Sequence, residues 1–300
     1  VQIPANTRLW GANLNPAPDY FSAPSSWAQL WQVWDWDNWI RPMIDQVRGI
    51  GGSCVRVFGN THVVTSGQID LATYLQRWRQ LLDYAADNGM KVFPCGGDLG
   101  HWGRATSRTA ALSLYRAWSE LLSGYSNVIG IDITNEASDQ AHAAWAEAYS
   151  QPEPWFDLIA ELGELVRQVS GKPITHSRSA HESAAFRSGF IHTDLLSDFL
   201  SVHCYYVPAP SDAGALLAAE WAAGKQLIIG EFGGSRQDGI DLPELFTAVR
   251  TVVSSDSRIV GALAWSVRDM GPTPDFGLFD AAGTPRADVA PILRGFPTSR

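Results

Sequence analysis

The sequence predicts a single parallel (β/α)8 barrel over residues 1–300, and three observations predict it. Short apolar, β-branched runs alternate with amphipathic helical stretches along the whole chain, eight of the first with about eight of the second. No linker with a shift in composition divides them, and barrels of this kind commonly reach 300 residues as one unit. Finally, Arg56, Asn135, Glu136, His203, Tyr205, Glu231 and Trp265 all lie in or at the ends of apolar strand-like runs. In such a barrel the carboxyl ends of the strands build the functional site.

Residues 9–15, Leu-Trp-Gly-Ala-Asn-Leu-Asn, read as the first strand. A loop with Pro16, Pro18 and Pro24 follows, then an aromatic stretch holding Trp27, Trp31, Trp34, Trp36 and Trp39. A helix is expected from Asp35 or Asp37 to Gly49, because Trp36, Trp39, Met43 and Val47 recur at helical spacing. Trp27, Trp31 and Trp34 do not fit that stripe. They read either as a loop folded onto the barrel or as a sugar-stacking surface, since an aromatic face matches the apolar C–H face of a pyranose.

Residues 53–58 form the second strand, with Arg56 inside an apolar run. A buried guanidinium needs a carboxylate partner, and the chain offers Glu136 and Glu231. Residues 70–88 read as a helix with Leu71, Leu75, Trp78, Leu82 and Ala85 on one face and Gly89 as its stop. Residues 91–95 are the third strand. The glycine-rich stretch 96–102 lacks the Gly-Lys-Ser/Thr of a phosphate loop, and nothing nearby is basic enough for one. It carries His101 and Trp102, which either line a cleft or fold over it.

A helix over 109–124 leads to the stretch around which the chain is organised, residues 128–136, Val-Ile-Gly-Ile-Asp-Ile-Thr-Asn-Glu. Its alternation marks a strand, and Asn135 and Glu136 fall where the strand gives way to a loop. The second half continues with helix 154–171, strands 173–177 and 199–206, helix 214–224, strand 226–231 ending in Glu231, helix 241–256, strand 259–266 and helix 286–295.

Bulk properties narrow the function. Hydrophobic residues are 45% and charged residues 18% of the chain, a globular composition. The net charge of −9 and the lack of a basic stripe argue against a nucleic-acid partner. No apolar run reaches the ~18 residues that span a bilayer. Cys54, Cys95 and Cys204 sit in apolar strand-like runs and read as buried thiols, with a Cys54–Cys95 pair as the alternative. Val1-Gln-Ile-Pro reads as a processed end or a cut boundary, and with thirteen tryptophans it points to a secreted enzyme. A monomer is expected. The seven histidines form no His-Glu-x-x-His and no preformed triad, so neither a metal nor another cofactor is expected.

Two carboxylates facing one cleft suit hydrolysis of a glycosidic bond, one protonated to assist the leaving oxygen and the other ionised to attack the anomeric carbon. Glu231, near Arg56 and the Tyr205 phenol, is expected to be held as the anion, which leaves Glu136 as the acid. Asn135 is placed to bind a substrate hydroxyl, and Trp265 to form a floor for the sugar.

Asn135-Glu136 on strand four, His203-Cys204-Tyr205 on strand six, Glu231 on strand seven and Trp265 on strand eight resemble clan A glycoside hydrolases, most closely glycoside hydrolase family 5, which includes cellulases and mannanases. The resemblance runs in order over essentially the whole chain. It implies Glu136 as acid/base, Glu231 as nucleophile, and Arg56, Asn135, His203, Tyr205 and Trp265 as the supporting shell. It also implies retention of anomeric configuration, with the carboxyl groups ~5–5.5 Å apart. The family's histidine after strand three is matched only loosely, by His101, several residues past the strand.

The expected substrate is a β-linked glucan or mannan cut internally. The alternatives are an exo-acting β-glycosidase, whose pocket residues 137–153 with Trp145 and Tyr149 would wall off, and a carbohydrate-binding barrel without catalysis. The presence of both glutamates argues against the last.

Overall fold

The computed structural model describes residues 2–4, 7–17, 26–97, 108–136, 152–179, 195–205, 224–269, 276–288 and 296. The strands are β1 (Leu9–Asn13), β2 (Cys54–Phe58), β3 (Lys91–Cys95), β4 (Ile131–Asp132), β5 in two pieces (Ile174–Thr175 and Arg178–Ser179), β6 (Leu200–Tyr205), β7 (Leu227–Gly233) and β8 (Ile259–Ala264). All their pairings are parallel. The first piece of β5 pairs with β4 and the second with β6, so the sheet closes on itself through β5. The result is the eight-stranded barrel that the alternating pattern predicts.

Around it lie α1 (Ser26–Val33), α2 (Arg41–Gly49), α3 (His62–Thr65), α4 (Leu71–Asp87), α5 (Arg108–Ser123), α6 (Pro152–Ser170) and α7 (Leu242–Ser255). Local chemistry sets several of these boundaries. The Asp70 carboxylate accepts from Thr73 N at 2.8 Å and so begins α4, and Asp241 does the same for α7 through Glu244 N at 3.0 Å. Asp35 caps a single π-helical turn, Trp36–Ile40, which runs into α2 with Pro42 in its first turn. The buried face of α4 is Tyr74, Trp78, Leu81, Leu82 and Ala85, rotated from the expected stripe: Leu71 is exposed and Leu75 half-buried.

Alternation along the strands divides the core in two. On β2, Val55 and Val57 join the shell between sheet and helices, while Cys54 faces the barrel axis. There it meets Leu9, Phe93, Phe199, Ile228 and Leu263 in an inner plug. The Phe93 and Phe199 rings stand 5.8 Å apart at its centre. Truncating either ring to Ala removes about 3–5 kcal/mol. Further along the strands the interior turns polar, with Asn13, Arg56, Asp132, His203 and Glu231 all buried.

The aromatic stretch resolves in favour of a segment folded onto the barrel. Residues 26–33 form α1, and its Trp31 is fully buried, donating from Nε1 to the Phe58 carbonyl at 2.7 Å. Trp34 stacks on Trp31 at 5.0 Å and on Trp36 at 5.9 Å. The side chain of Trp27 lies outside the described residues.

Strand four is shorter than its apolar run, with regular pairing only at Ile131–Asp132 and a bridge from Val128 to Val92. At the carboxyl end, Phe279 bridges to Pro285 and Arg286 N donates to the Leu278 carbonyl at 3.0 Å, so no helix begins at Arg286. Residues 289–295 and 214–223, where the remaining expected helices fall, lie outside the described residues. All three cysteines are buried and none of them forms a disulfide. Among the described residues no helix is long and apolar enough to cross a membrane.

Candidate active site

Arg56 is the hub of the polar end of the barrel. Its guanidinium is fully buried and lies over the Phe58 ring, 4.5 Å from the centroid. Nη1 donates to Glu231 Oε1 at 2.6 Å and to Asn13 Oδ1 at 3.0 Å. Nη2 donates to Asp132 Oδ2 at 2.8 Å and to Asn135 Oδ1 at 3.0 Å. Of the two glutamates offered by the sequence, Arg56 therefore pairs with Glu231, and its second carboxylate is Asp132 rather than Glu136. Burial works against the guanidinium charge, but Asp132 and Glu231 outweigh it and hold the pKa above its ordinary value.

Asp132 and Asn13 were not singled out as site residues from the sequence. The available signal was the one that marked Arg56, a charged group inside an apolar run on the inward parity of its strand. Asp132 is anchored from its other oxygen as well, accepting from Ser177 N at 2.9 Å.

Glu231 reaches the interior because β7 is irregular. Leu227 and Ile229 face the helices and Ile228 the barrel plug, so strict alternation sends Glu231 outward. Instead Val202 pairs with Ile229 and His203 with Glu231, which makes Gly230 the extra residue of a bulge. The bulge turns Glu231 inward. Asn13 Nδ2 ties β1 to this spot by donating to the Gly230 carbonyl at 3.0 Å.

Both oxygens of Glu231 accept hydrogen bonds, Oε1 from Arg56 and Oε2 from the Tyr205 phenol. Burial pushes the Glu231 carboxyl above its ordinary value, Glu136 adds to that, and His203, Arg56 and Tyr205 pull it back. Donors on both oxygens, the Arg56 guanidinium and the Tyr205 hydroxyl, favour the ionised form against that burial. The Tyr205 phenol is raised well above its usual value by burial and by the two glutamates, so it stays protonated as the donor.

Glu136 occupies a different environment. Its backbone sits at φ 35°, in the left-handed region, at a cost of order 1–3 kcal/mol that marks a constrained position. Its Oε1 is 2.6 Å from His203 Nδ1, which is also 3.5 Å from Glu231 Oε1. Burial lowers the His203 pKa from 6.5 to about 4, so the imidazole is neutral at neutral pH. Glu136 thus has a neutral neighbour and Glu231 a cationic one, an asymmetry that separates the two carboxyls chemically.

The remaining sequence-singled residues gather at the same mouth or fall outside the described residues. Asn135 gives its carbonyl oxygen to Arg56, which turns its NH2 away from the guanidinium. Trp265 is half-buried, edge-on to Phe58 with centroids 5.6 Å apart, and is followed by a cis peptide to Ser266. His101 and Trp102 lie outside the described residues. Glu136, His203 and Glu231 each offer one metal-ligating atom, all within 4.8 Å of one another. The Arg56 guanidinium, 2.6 Å from Glu231, already places a fixed positive charge on that carboxylate and opposes a second cation there.

No protein-family model and no curated protein sequence matches the chain. Solved structures do. Exo-beta-1,4-mannosidase Op5Man5 from Opitutaceae bacterium strain TAV5 superposes with a TM-score of 0.71 at 18% identity, covering 98% of this chain and 60% of its own. For beta-glycosidase BGL167 the values are 0.66 and 14%, covering 95% of each chain. A GH5_18 protein from Bifidobacterium longum subsp. longum, in complex with Manb1-4GlcNAc, gives 0.67 and 16%, covering 96% of this chain and 77% of its own. The chain thus spans less than two thirds of Op5Man5 and nearly the whole length of BGL167. What it has in common with these glycosidases, at 14–18% identity, is the (β/α)8 barrel itself.

Proposed function

We propose that this chain is a retaining β-glycoside hydrolase of clan A, most like family 5, acting on β-linked glycans of the glucan or mannan type. One observation carries the reading: an Arg- and Tyr-bound carboxylate, Glu231, faces a second carboxylate held by a neutral histidine, Glu136, with oxygens of the two within 4.8 Å. That spacing supports direct attack, because an inverting enzyme keeps its carboxyls roughly 6.5–9.5 Å apart to admit a water.

In this reading Glu231 attacks the anomeric carbon while Glu136 passes its proton to the departing glycosidic oxygen. The glycosyl ester on Glu231 is then opened by a water that Glu136 deprotonates, which regenerates both groups. Arg56 and Tyr205 keep Glu231 ionised and aligned. Asn135 presents its amide to the hydroxyl beside the reacting carbon, and Trp265 forms the floor beneath the sugar.

Cleavage of internal bonds follows if the mouth is an open cleft. The names of Op5Man5, an exo-mannosidase, and of the GH5_18 complex favour a second reading, release of a terminal sugar from a short β-mannoside. The burial of Trp31 and Trp39 supports it too, since core tryptophans cannot line a cleft. Incubation with a panel of β-glucans, β-mannans and their oligosaccharides, read by chromatography and by proton NMR of the first anomer formed, tests both. A β-anomer first is the expected result, and an α-anomer first refutes retention. A ladder of oligomers means internal cleavage, and a single mono- or disaccharide means terminal release.

A further inference from the structure

Two buried polar atoms beside the site have no partner among the described residues: Ser201 Oγ and His203 Nε2, on the ring edge away from Glu136. Ser201 and His203 are two apart on β6 and share its inward parity. Both atoms face one point. A methyl group built on Gly230 would lie 2.5 Å from Ser201 Oγ and 3.0 Å from His203 Nε2, so both atoms pack against the bare Gly230 backbone at the β7 bulge and lie close enough to each other for one water to reach both. Leaving two buried polar groups unsatisfied is costly, and a single water with two to four polar partners satisfies them together.

We propose that a buried water bridges Ser201 Oγ and His203 Nε2 beside Gly230, and that Ser201 is thereby a positioning residue for the proton on Glu136. The role in catalysis rests on Glu136 being the acid/base. While Glu136 is ionised, His203 Nδ1 donates to it and Nε2 is an acceptor that the water fills. While Glu136 carries its proton on Oε1, Nδ1 accepts and the neutral imidazole carries its hydrogen on Nε2, where the water accepts it. Water and hydroxyl both donate and accept, so the pair supports either tautomer. Without it, either tautomer leaves Nε2 unpartnered, the Nε2–H form as a buried donor and the Nδ1–H form as a buried acceptor, and an orphaned donor is the rarer and costlier of the two. The imidazole then keeps its hydrogen on Nδ1, favours the Glu136 anion and lowers that carboxyl's pKa.

The test combines a crystal structure of the wild-type protein with the pH dependence of kcat/KM for Ser201→Ala and Ser201→Thr on an unactivated glycoside and an activated aryl glycoside. Density for a water within hydrogen-bonding distance of both atoms is expected, whatever the enzyme's reaction. Its absence overturns the proposal. Ser201→Ala should move the basic limb on the unactivated substrate to lower pH by about half a unit or more, with Ser201→Thr returning it towards wild type. An Ala profile that superposes on wild type, or that falls equally at every pH with a lowered melting temperature, overturns the positioning role. Full activity of Glu136→Gln on the unactivated glycoside would remove the underlying acid/base reading and leave the water standing on its density.

Discussion

Tyr205→Phe isolates how Glu231 is kept ionised. The substitution removes one hydroxyl, and with it the hydrogen bond to Glu231 Oε2, while Arg56 Nη1 stays on Oε1 at 2.6 Å. A hydrogen bond to a charged acceptor contributes about 1.5–3 kcal/mol, and one pKa unit corresponds to about 1.4 kcal/mol, so the Glu231 carboxyl should rise by about 1–2 units. The sign follows from which form benefits. The phenol stabilises only the anion, so its loss makes protonation easier, and the nucleophile is then active only at higher pH. The assay is kcat/KM against pH on an aryl glycoside, whose departure needs little acid assistance, so that the acidic limb reports Glu231. That limb should move up by about 1–2 units, and at a pH below the wild-type limb the variant should be about 10- to 100-fold slower. An acidic limb that stays in place, with only a uniform fall in rate, would refute the assignment of Tyr205 as the donor that holds the ion.

Glu231→Ala should abolish turnover, with azide restoring part of it and yielding a glycosyl azide of inverted configuration; near-normal activity without azide removes Glu231 as nucleophile. Glu136→Ala should lose most on substrates with poor leaving groups and least on activated aryl glycosides, and equal losses on both would speak against Glu136 as the acid. Asp132→Ala strips the buried Arg56 of one of its two carboxylates and should destabilise the fold by about 3–5 kcal/mol in urea unfolding; a change under about 1 kcal/mol would mean that Arg56 does not depend on it. Because the folded pKa of His203 is depressed from 6.5 to about 4, its contribution is complete above pH 6.5 and is lost as the pH falls towards 4, by up to about 3 kcal/mol. Urea melts at pH 7 and pH 4.5 should therefore differ more for wild type than for His203→Gln, and equal differences would show that His203 titrates normally in the fold.

The strands were legible because their apolar runs are short and bounded: β3 was read residue for residue over 91–95, and α4, α5 and α7 to within one residue at each end. The aromatic segment was harder. Trp31 lies in an eight-residue helix inserted after β1, and a buried helix flank and an exposed aromatic loop look alike in composition. Arg56 stands out because a charge in an apolar run is conspicuous, whereas Asp132 carries the same mark but is overshadowed by Asn135 and Glu136. Partner choice was also beyond the sequence, since two glutamates at strand tips are equivalent until the ladder register assigns one to Arg56 and the other to His203.

Glu231 exposes the limit of pattern reading most clearly. Its position at the end of an apolar run suggested a site, but the two-residue period of the same run points its side chain at the helices. What reconciles them is the extra residue Gly230, which shifts the register between β6 and β7 and brings Glu231 opposite His203. A β-carbon there would lie 2.5 Å from Ser201 Oγ and 3.0 Å from His203 Nε2. Gly230→Ala therefore turns the Ser201 hydroxyl aside and presses on His203, which holds Glu136, or else straightens the bulge, which withdraws Glu231. A shift of His203 or of the bulge displaces one of the two carboxyls, so the residue with no side chain helps to set the distance on which the proposed chemistry depends.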